Sequence, residues 1–181
     1  MDEKELVERY KAGERDFHGL KMAYSHLVDT DLSGINLSGV SLFASRMSRI
    51  NLTDANLNEI NLTGADLTEA HLSRANFDGA CMTGAKLTRA DLAGPGTSLR
   101  GANLTWADLE GANLSQVDLS GANLTGAKLM HANLRGANLC GADLIDAKLA
   151  EADLTEANLT DARMIATDLQ GATMPDGQKH D

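Results

Sequence analysis

The residues able to bind metals or act as nucleophiles are few and scattered along this sequence. The chain has 181 residues with five histidines and two cysteines, and none of them forms a metal-spaced pair with another ligand. The 17 glycines form no phosphate-binding loop before a helix. We therefore predict a protein that is not an enzyme and has no catalytic residue, metal or cofactor. The scattered residues are His18, His26, His71, His131, His180, Cys81 and Cys140.

A large apolar residue at every fifth position is the dominant pattern of the chain. One run extends from Phe17 to Leu92 and a second from Leu99 to Met174, with 25 Leu, five Met and two Phe in all. Ala fills 20 of the 32 sites that lie two residues earlier, and the residue between is usually Asn or Asp. This spacing predicts a short extended segment with Ala and Leu pointing inward. The Ser, Thr, Gly and charged residues that follow favour a turn at every unit.

The repeated unit A(D/N)LXX, seen in ADLTE, INLTG and ANLTG, resembles the pentapeptide-repeat family. The resemblance covers residues 15 to 176 and implies an all-β fold, a right-handed quadrilateral β-helix with four pentapeptides per coil. Sixteen units in each run then give about eight coils, a rod of about 38 Å at ~4.8 Å per coil. The opening ERYKAGERDFHGLKM also resembles the leader of cyanobacterial members.

The two halves of the repeat are separated by an interruption. Residues 15–94 are predicted to form coils 1–4 and residues 97–176 coils 5–8, with 95–96 as a two-residue corner insertion. Proline lacks the N–H that a stacked coil needs, so we expect a bulge at one corner. It is either a tolerated surface loop or a recognition loop of the kind that family members use to hold partners. The loop residues are Gly94, Pro95 and Gly96.

The two ends of the rod differ. Residues 1–14 carry Leu6, Val7 and Tyr10 on one helical face, which predicts a short α-helix that caps the first coil. A docking helix for a partner is the alternative. The polar tail, residues 177–181, is too short for a packed cap, so we expect the last coil to be partly open. We expect a homodimer through this C-terminal coil, an arrangement that the family resemblance implies.

Charge and composition limit the partners. The formal net charge is −10 and the sequence pI is near 4.8, which disfavours direct binding of nucleic acid or of an anionic membrane. The sequence has no secretory signal and no apolar run of membrane-spanning length. Two cysteines are too few for a disulfide scaffold, so we predict a cytoplasmic protein.

Two groups of outward residues are candidates for partner binding. The first is an apolar cluster of Trp106, Met130, Ile145 and Ile165, which is either a binding surface or a set of incidental exposed residues. Two further apolar residues, Tyr24 and Phe43, are expected to be buried under the helical cap. The second group is an acidic patch late in the chain, consisting of Asp143, Asp146, Glu151, Asp153, Glu156 and Asp161.

We therefore predict a rigid scaffold that acts as a protein–protein interaction module with an unknown protein partner. The alternative is a DNA-mimicking regulator of DNA gyrase, because the family resemblance includes a quinolone-resistance branch that occupies the DNA site of gyrase. Charge density argues against strong mimicry. Duplex DNA carries about 22 charges over ~38 Å, whereas this chain has a net −10 with 16 basic residues interleaved. A plain structural rod without a partner is the third alternative.

Overall fold

The computed structural model, which describes residues 1–181, is a four-sided β-helix preceded by one α-helix, α1, Glu3–Lys11. The strands of the β-helix are single-residue parallel bridges, because each side of a coil is too short for a longer one. Bridges join residues 20 apart, as Asp16 pairs with Asn36 and Asn36 with Asn56. A step of 20 is four pentapeptides, so the predicted quadrilateral fold with eight coils is confirmed.

The four sides of the rod are named here by the apolar residue with which each begins. Face 1 begins at Phe17, face 2 at Met22, face 3 at Leu27 and face 4 at Leu32. On each face, the corresponding residue of the next coil comes 20 residues later, or 22 residues later where the insertion lies between the two. On every face, the residues just before and just after the apolar residue point outward, and the next residue forms the corner. Coil 1 contains the four residues named above, and coil 8 ends at Met174.

The interior is one continuous ladder of apolar side chains. The apolar residues from Leu27 to Leu154 are at most 1% exposed, and almost every Ala two residues before them is also buried. Coil 4 contains the bulkiest of these residues, Phe77, and its four small sites are all Ala. The inward Leu and Ala side chains fill the narrow interior without a cavity.

Each corner depends on a residue in the left-handed conformation. The corner residues have φ near +60°, and 17 of the residues with positive φ are not glycine. Each corner closes a β-turn, as Ala65 N–H donates to Leu62 O at 2.9 Å. The Asn or Asp before the Leu supports the same turn: Asn61 Oδ1 accepts from Thr63 N–H at 3.0 Å. This second bond explains why the repeat prefers Asn or Asp at that position.

Helix α1 caps the first coil, as predicted. Asp2 accepts from the backbone N–H of Glu5 at 2.8 Å and starts the helix. Leu6 is 1% exposed and belongs to the core. Tyr10 donates its hydroxyl hydrogen to Ser33 O at 2.7 Å, and Glu3 accepts from the otherwise free N–H of His26 at 2.9 Å. The helix therefore seals apolar surface and satisfies an open strand donor.

The tail at the other end does more than the sequence indicates. Residues 177–181 fold back, and Lys179 forms an antiparallel bridge with Thr173. His180 N–H donates to Ala172 O at 2.8 Å, and Gly171 N–H donates to His180 O at 2.9 Å. The tail thus covers the face 4 side of coil 8. The other three sides end in the partly buried residues Leu159, Met164 and Leu169.

Candidate functional site

The structure contains no grouping that suggests catalysis. No three His, Cys, Asp or Glu side chains lie together as metal ligands. Cys81 and Cys140 are unpaired and lie on different faces, three coils apart. The two surface depressions are shallow and mostly polar, one of them beside Arg135 and Glu156 on face 4. No helix of the structure is both long and apolar enough to cross a membrane. The outer surface of the rod is therefore where function must be sought.

Face 2 differs from the other three faces in its lack of charge. Its outward and corner positions carry only four charged residues. From coil 2 to coil 6 there is none, and the positions hold mainly Asn, Thr, Gly and apolar residues. Charge depletion is the compositional mark of the centre of a protein interface. The four charged residues are Lys21, Asp143, Asp146 and Arg163.

The exposed aromatic residues of the chain all lie on this charge-poor face. Phe17 and Phe77 are buried in the interior, and Tyr10 belongs to the helical cap. The remaining large apolar residues outside the terminus are Tyr24, Phe43, Trp106 and Ile165, which are 71%, 37%, 63% and 64% exposed. Each follows an apolar residue of face 2 by one or two positions. Face 2 therefore combines the exposed apolar surface of the rod with its lowest charge.

The side chain of Trp106 lies across the corner of the next coil. It covers Gly126, and a Cβ added at Gly126 would overlap the indole ring. Gly126 is buried for this reason, although it occupies an outer corner. The glycine thus creates a flat seat that holds the indole along the rod axis. This seat could not be read from the sequence without knowing that residues 20 apart are stacked.

The structure divides the predicted apolar cluster. Trp106, Ile145 and Ile165 lie on face 2, whereas Met130 lies on face 3. Ile145 and Ile165 occupy successive coils of face 2. The stacking of these coils is seen in the bond from Asp146 N–H to Ile165 O at 3.0 Å. Met130 and Ile145 are only partly exposed.

The expected burial of Tyr24 and Phe43 is wrong. Helix α1 covers the end of the first coil and leaves the side of face 2 open, so both rings face outward. They contact each other edge to face, with 5.6 Å between ring centroids. The sequence contained a signal for this position. If residues 20 apart are assumed to stack, Tyr24 and Phe43 fall on the same face as Trp106.

The predicted acidic patch is distributed around the rod. Its six residues occupy all four faces of coils 7 and 8, so they form a belt. Half of them have basic neighbours: Arg163 donates to Asp143 at 2.7 Å, Arg135 to Asp153 at 3.3 Å, and His131 lies 3.4 Å from Glu151. Sequence proximity misled here because consecutive pentapeptides point in directions about 90° apart.

The excess negative charge lies instead on faces 4 and 1, which share a corner. Together these faces carry eleven carboxylates but only three basic residues, Arg74, Arg100 and Arg135. Arg74 forms a bidentate pair with Asp54, with both N–O distances at 2.6 Å, and this hydrogen-bonded pair lowers the pKa of Asp54. The carboxylates are Asp16, Asp31, Asp54, Glu59, Asp78, Asp91, Asp118, Asp153, Glu156, Asp161 and Asp176.

The insertion lies at the corner between faces 4 and 1. Pro95 and Gly96 are exposed, while Thr97 is 1% exposed and accepts from Arg74 N–H at 2.7 Å. Gly94 N–H still donates to Ser115 O at 2.9 Å, so coil stacking continues directly through the insertion. The bulge is small and lies far from face 2.

The fold and this surface together define a β-solenoid rod with one side that bears the exposed aromatic residues and few charges. The chain matches the family model described as pentapeptide repeats, with 8 copies. The matched residues are 21–58, 45–84, 55–94, 97–136 and 137–174. The chain belongs to the pentapeptide-repeat family. No curated protein matches it.

Solved structures of the same family are similar to this chain. HetL, a pentapeptide repeat protein involved in heterocyst differentiation regulation from the cyanobacterium Nostoc sp. strain PCC 7120, is 31% identical over 99% of this chain and 100% of that chain, with a TM-score of 0.30. Another Nostoc PCC 7120 pentapeptide repeat protein, alr5209, is 31% identical over 73% and 80%, with a TM-score of 0.23. QnrB1, a plasmid-mediated fluoroquinolone resistance protein, is 22% identical over 90% and 84%, with a TM-score of 0.68, which shows the shared fold alone.

Proposed function

We propose that this chain is a rigid, non-enzymatic scaffold that binds protein through face 2. The observation that carries the proposal is the coincidence of two features on one side of the rod. The three aromatic side chains that neither the core nor the cap uses lie there, and five successive coils of that side carry no charge. Exposed aromatic residues amid depleted charge favour protein association.

The architecture supports a scaffold. Stacked coils with a filled core make a stiff rod, and its sides present residues at a fixed ~4.8 Å repeat. A partner therefore meets a preorganised surface and needs no ordering of loops. The regulatory role named for HetL, at 31% identity, is consistent with a binding protein of this kind. The proposed location is the cytoplasm, in line with two unpaired cysteines.

The test is capture of interacting proteins from the native host by the tagged chain and by two variants. Trp106→Gly with Ile165→Thr restores residues that the repeat commonly has at these positions, so the fold is retained. Met130→Thr makes the matched change on face 3. We expect the face 2 variant to lose at least about 90% of a specifically retained protein, since exposed aromatic anchors dominate such interfaces. Equal retention by both variants would refute the role of face 2.

A DNA-mimicking regulator of DNA gyrase is the second candidate, and the asymmetry of charge favours it. Faces 4 and 1 have an excess of eight negative charges along one side of the rod. The same length of duplex DNA carries about 22 charges, so the mimicry would be partial. The test is gyrase supercoiling with increasing amounts of the chain. Inhibition that is lost when Glu59, Asp118 and Asp161 become Asn or Gln would support this candidate over the scaffold.

A further inference from the structure

Face 2 is complementary to itself under a two-fold rotation, and we propose that it joins two copies of this chain side by side and antiparallel. The inference rests on the proposed function, because it names the partner of the same face. An axis that lies in the plane of face 2 and crosses the rod pairs coil 1 of one copy with coil 8 of the other, and coil 4 with coil 5. Each column of outward residues then faces the same column of the second copy.

The corner column places its largest residue against its smallest. Trp106 extends over Gly126, so its indole covers coils 5 and 6. The two-fold axis sets Gly84 and Gly64 of the second copy opposite these two coils. A Cβ added at either glycine meets no atom within 4 Å, so both positions are open in a single chain. The indole is therefore enclosed between two stretches of glycine backbone.

The column just after the apolar residues joins the two apolar ends of face 2. Phe43 in coil 2 is set opposite Ile145 of the second copy, in coil 7. Ile165 in coil 8 is set opposite Ala23 of the second copy, and Thr63 in coil 3 opposite Thr125. Each apolar residue thus meets an apolar residue, and threonine meets threonine. Aromatic and aliphatic side chains in such cross-face contacts bury apolar area on both partners.

The other edge of face 2 permits close approach. Its corner column, contributed by face 1, has glycine at six of its eight coils, and the two exceptions are Glu59 and Asp161. Under the same axis, Glu59 faces Gly121 and Asp161 faces Gly19 of the second copy. No two side chains therefore compete for the same space along this edge. The glycines of the column are Gly19, Gly39, Gly79, Gly101, Gly121 and Gly141.

Apolar matching selects the antiparallel arrangement. A parallel two-fold axis would set the column just after the apolar residues against the column just before them. Ile145 and Ile165 would then face the charged residues Asp143 and Arg163 of the second copy. The antiparallel axis avoids this and places Lys21 opposite Arg163 of the second copy, whose charge is already paired with Asp143 of its own chain at 2.7 Å.

The surface is large enough for a stable dimer. The chain exposes 8029 Å² in total. Divided among four faces and two ends, roughly a sixth of this, about 1,300 Å², belongs to face 2, against about 800 Å² per partner in interfaces of standard size. Two flat β-surfaces pack at about 10 Å without rearrangement of either backbone.

The decisive variant is Gly84→Glu, measured by sedimentation velocity of the full chain over a range of concentrations. Glutamate occupies the same corner position, with φ near +57°, at Glu59 and Glu69, so the fold tolerates it. In the dimer, the carboxylate introduced at position 84 of each copy would be buried against the indole of Trp106 of the other copy, so the unfavourable contact occurs twice. We expect self-association at least about 100-fold weaker. Gly111→Glu, at the corner between faces 3 and 4, is the matched control and should leave the dimer unchanged.

Cross-linking with a short bismaleimide reports the geometry. In the Cys140→Ser chain, Cys81 lies one coil from Cys81 of the second copy, about 11 Å across the two faces. Pairing end to end through coil 8 separates the same cysteines by about 43 Å. For direction, Thr63→Cys and Thr125→Cys chains lacking both native cysteines are mixed. Cross-links between unlike chains indicate antiparallel packing, and cross-links between like chains indicate parallel packing.

The outcomes separate this inference from the proposed function. A dimer that Gly84→Glu dissociates, with cross-links between unlike chains, supports the inference. A dimer that is insensitive to Gly84→Glu, or cross-links between like chains, overturns it. A strictly monomeric chain that still captures a host protein through face 2 overturns self-association and leaves the docking function intact. A monomer without any capture that depends on face 2 overturns both.

Discussion

Removing a leucine from the middle of the rod should cost about twice as much as removing one from its last coil. Leu119 in coil 6 is 0% exposed and is stacked between the residues of coils 5 and 7 on face 1. Leu159 holds the same position in coil 8, where it is only partly buried because no coil follows. The comparison changes one variable, the presence of a coil beyond the substituted residue.

The expected magnitudes follow from that difference. Leu→Ala at a closed site costs about 3–4 kcal/mol through lost transfer free energy and the cavity left behind. Leu159 has a stacked neighbour on one side only, so we expect about 1.5–2 kcal/mol. A loss of 3–4 kcal/mol is a large part of the 5–15 kcal/mol typical of a domain, so the midpoint of urea unfolding should fall clearly.

The assay is equilibrium urea unfolding followed by far-UV circular dichroism, at two chain concentrations. Because repeat proteins can unfold in parts, equal m-values for the wild type and both variants are required before free energies are compared. If Leu159→Ala costs as much as Leu119→Ala, the end of coil 8 is covered and the argument from an open coil is refuted. A cost at Leu159 that grows with concentration would indicate the predicted homodimer through the C-terminal coil.

Three further predictions concern the outer surface and the tail. Gly126→Ala forces a Cβ into the indole that covers it and should cost at least about 1 kcal/mol at this positive φ, with a red-shifted tryptophan emission; unchanged emission would contradict the seat. Arg74→Met removes the partner that lowers the pKa of Asp54. Because the folded-state pKa is depressed, the pair stabilises the fold above the ordinary carboxyl pKa and loses this effect as pH falls through the lowered value. The melting temperature of the variant should therefore be lower than that of the wild type at neutral pH and equal at about pH 2; a constant difference would exclude the pair as its cause. Deleting residues 177–181 frees backbone groups of coil 8 and should cost about 1–3 kcal/mol, measured by urea unfolding; no change would show that the folded-back tail adds no stability.

The repeat determined most of the fold from sequence alone. A five-residue period that places Ala and Leu inward, with Asn or Asp between them, specifies the same local geometry 32 times. A local geometry repeated in two long runs produces a solenoid, because each unit must turn and stack in the same way. The cap was also readable, since Leu6 and Tyr10 share a helical face beside the first coil. The four-sided shape came from the family resemblance, because periodicity does not fix the number of sides.

The tertiary structure decided which residues share a side. Neighbours on a face are 20 residues apart in sequence, so proximity along the chain is a poor guide to proximity on the surface. The six late acids separate onto four faces for this reason, whereas Tyr24 and Trp106 come to share one face from coils 1 and 5. The folded-back tail was equally hidden, because its bonds join backbone groups and leave no mark in side-chain pattern. Local chemistry set the shape of each turn, and only the stacking of coils brought distant residues together into a surface.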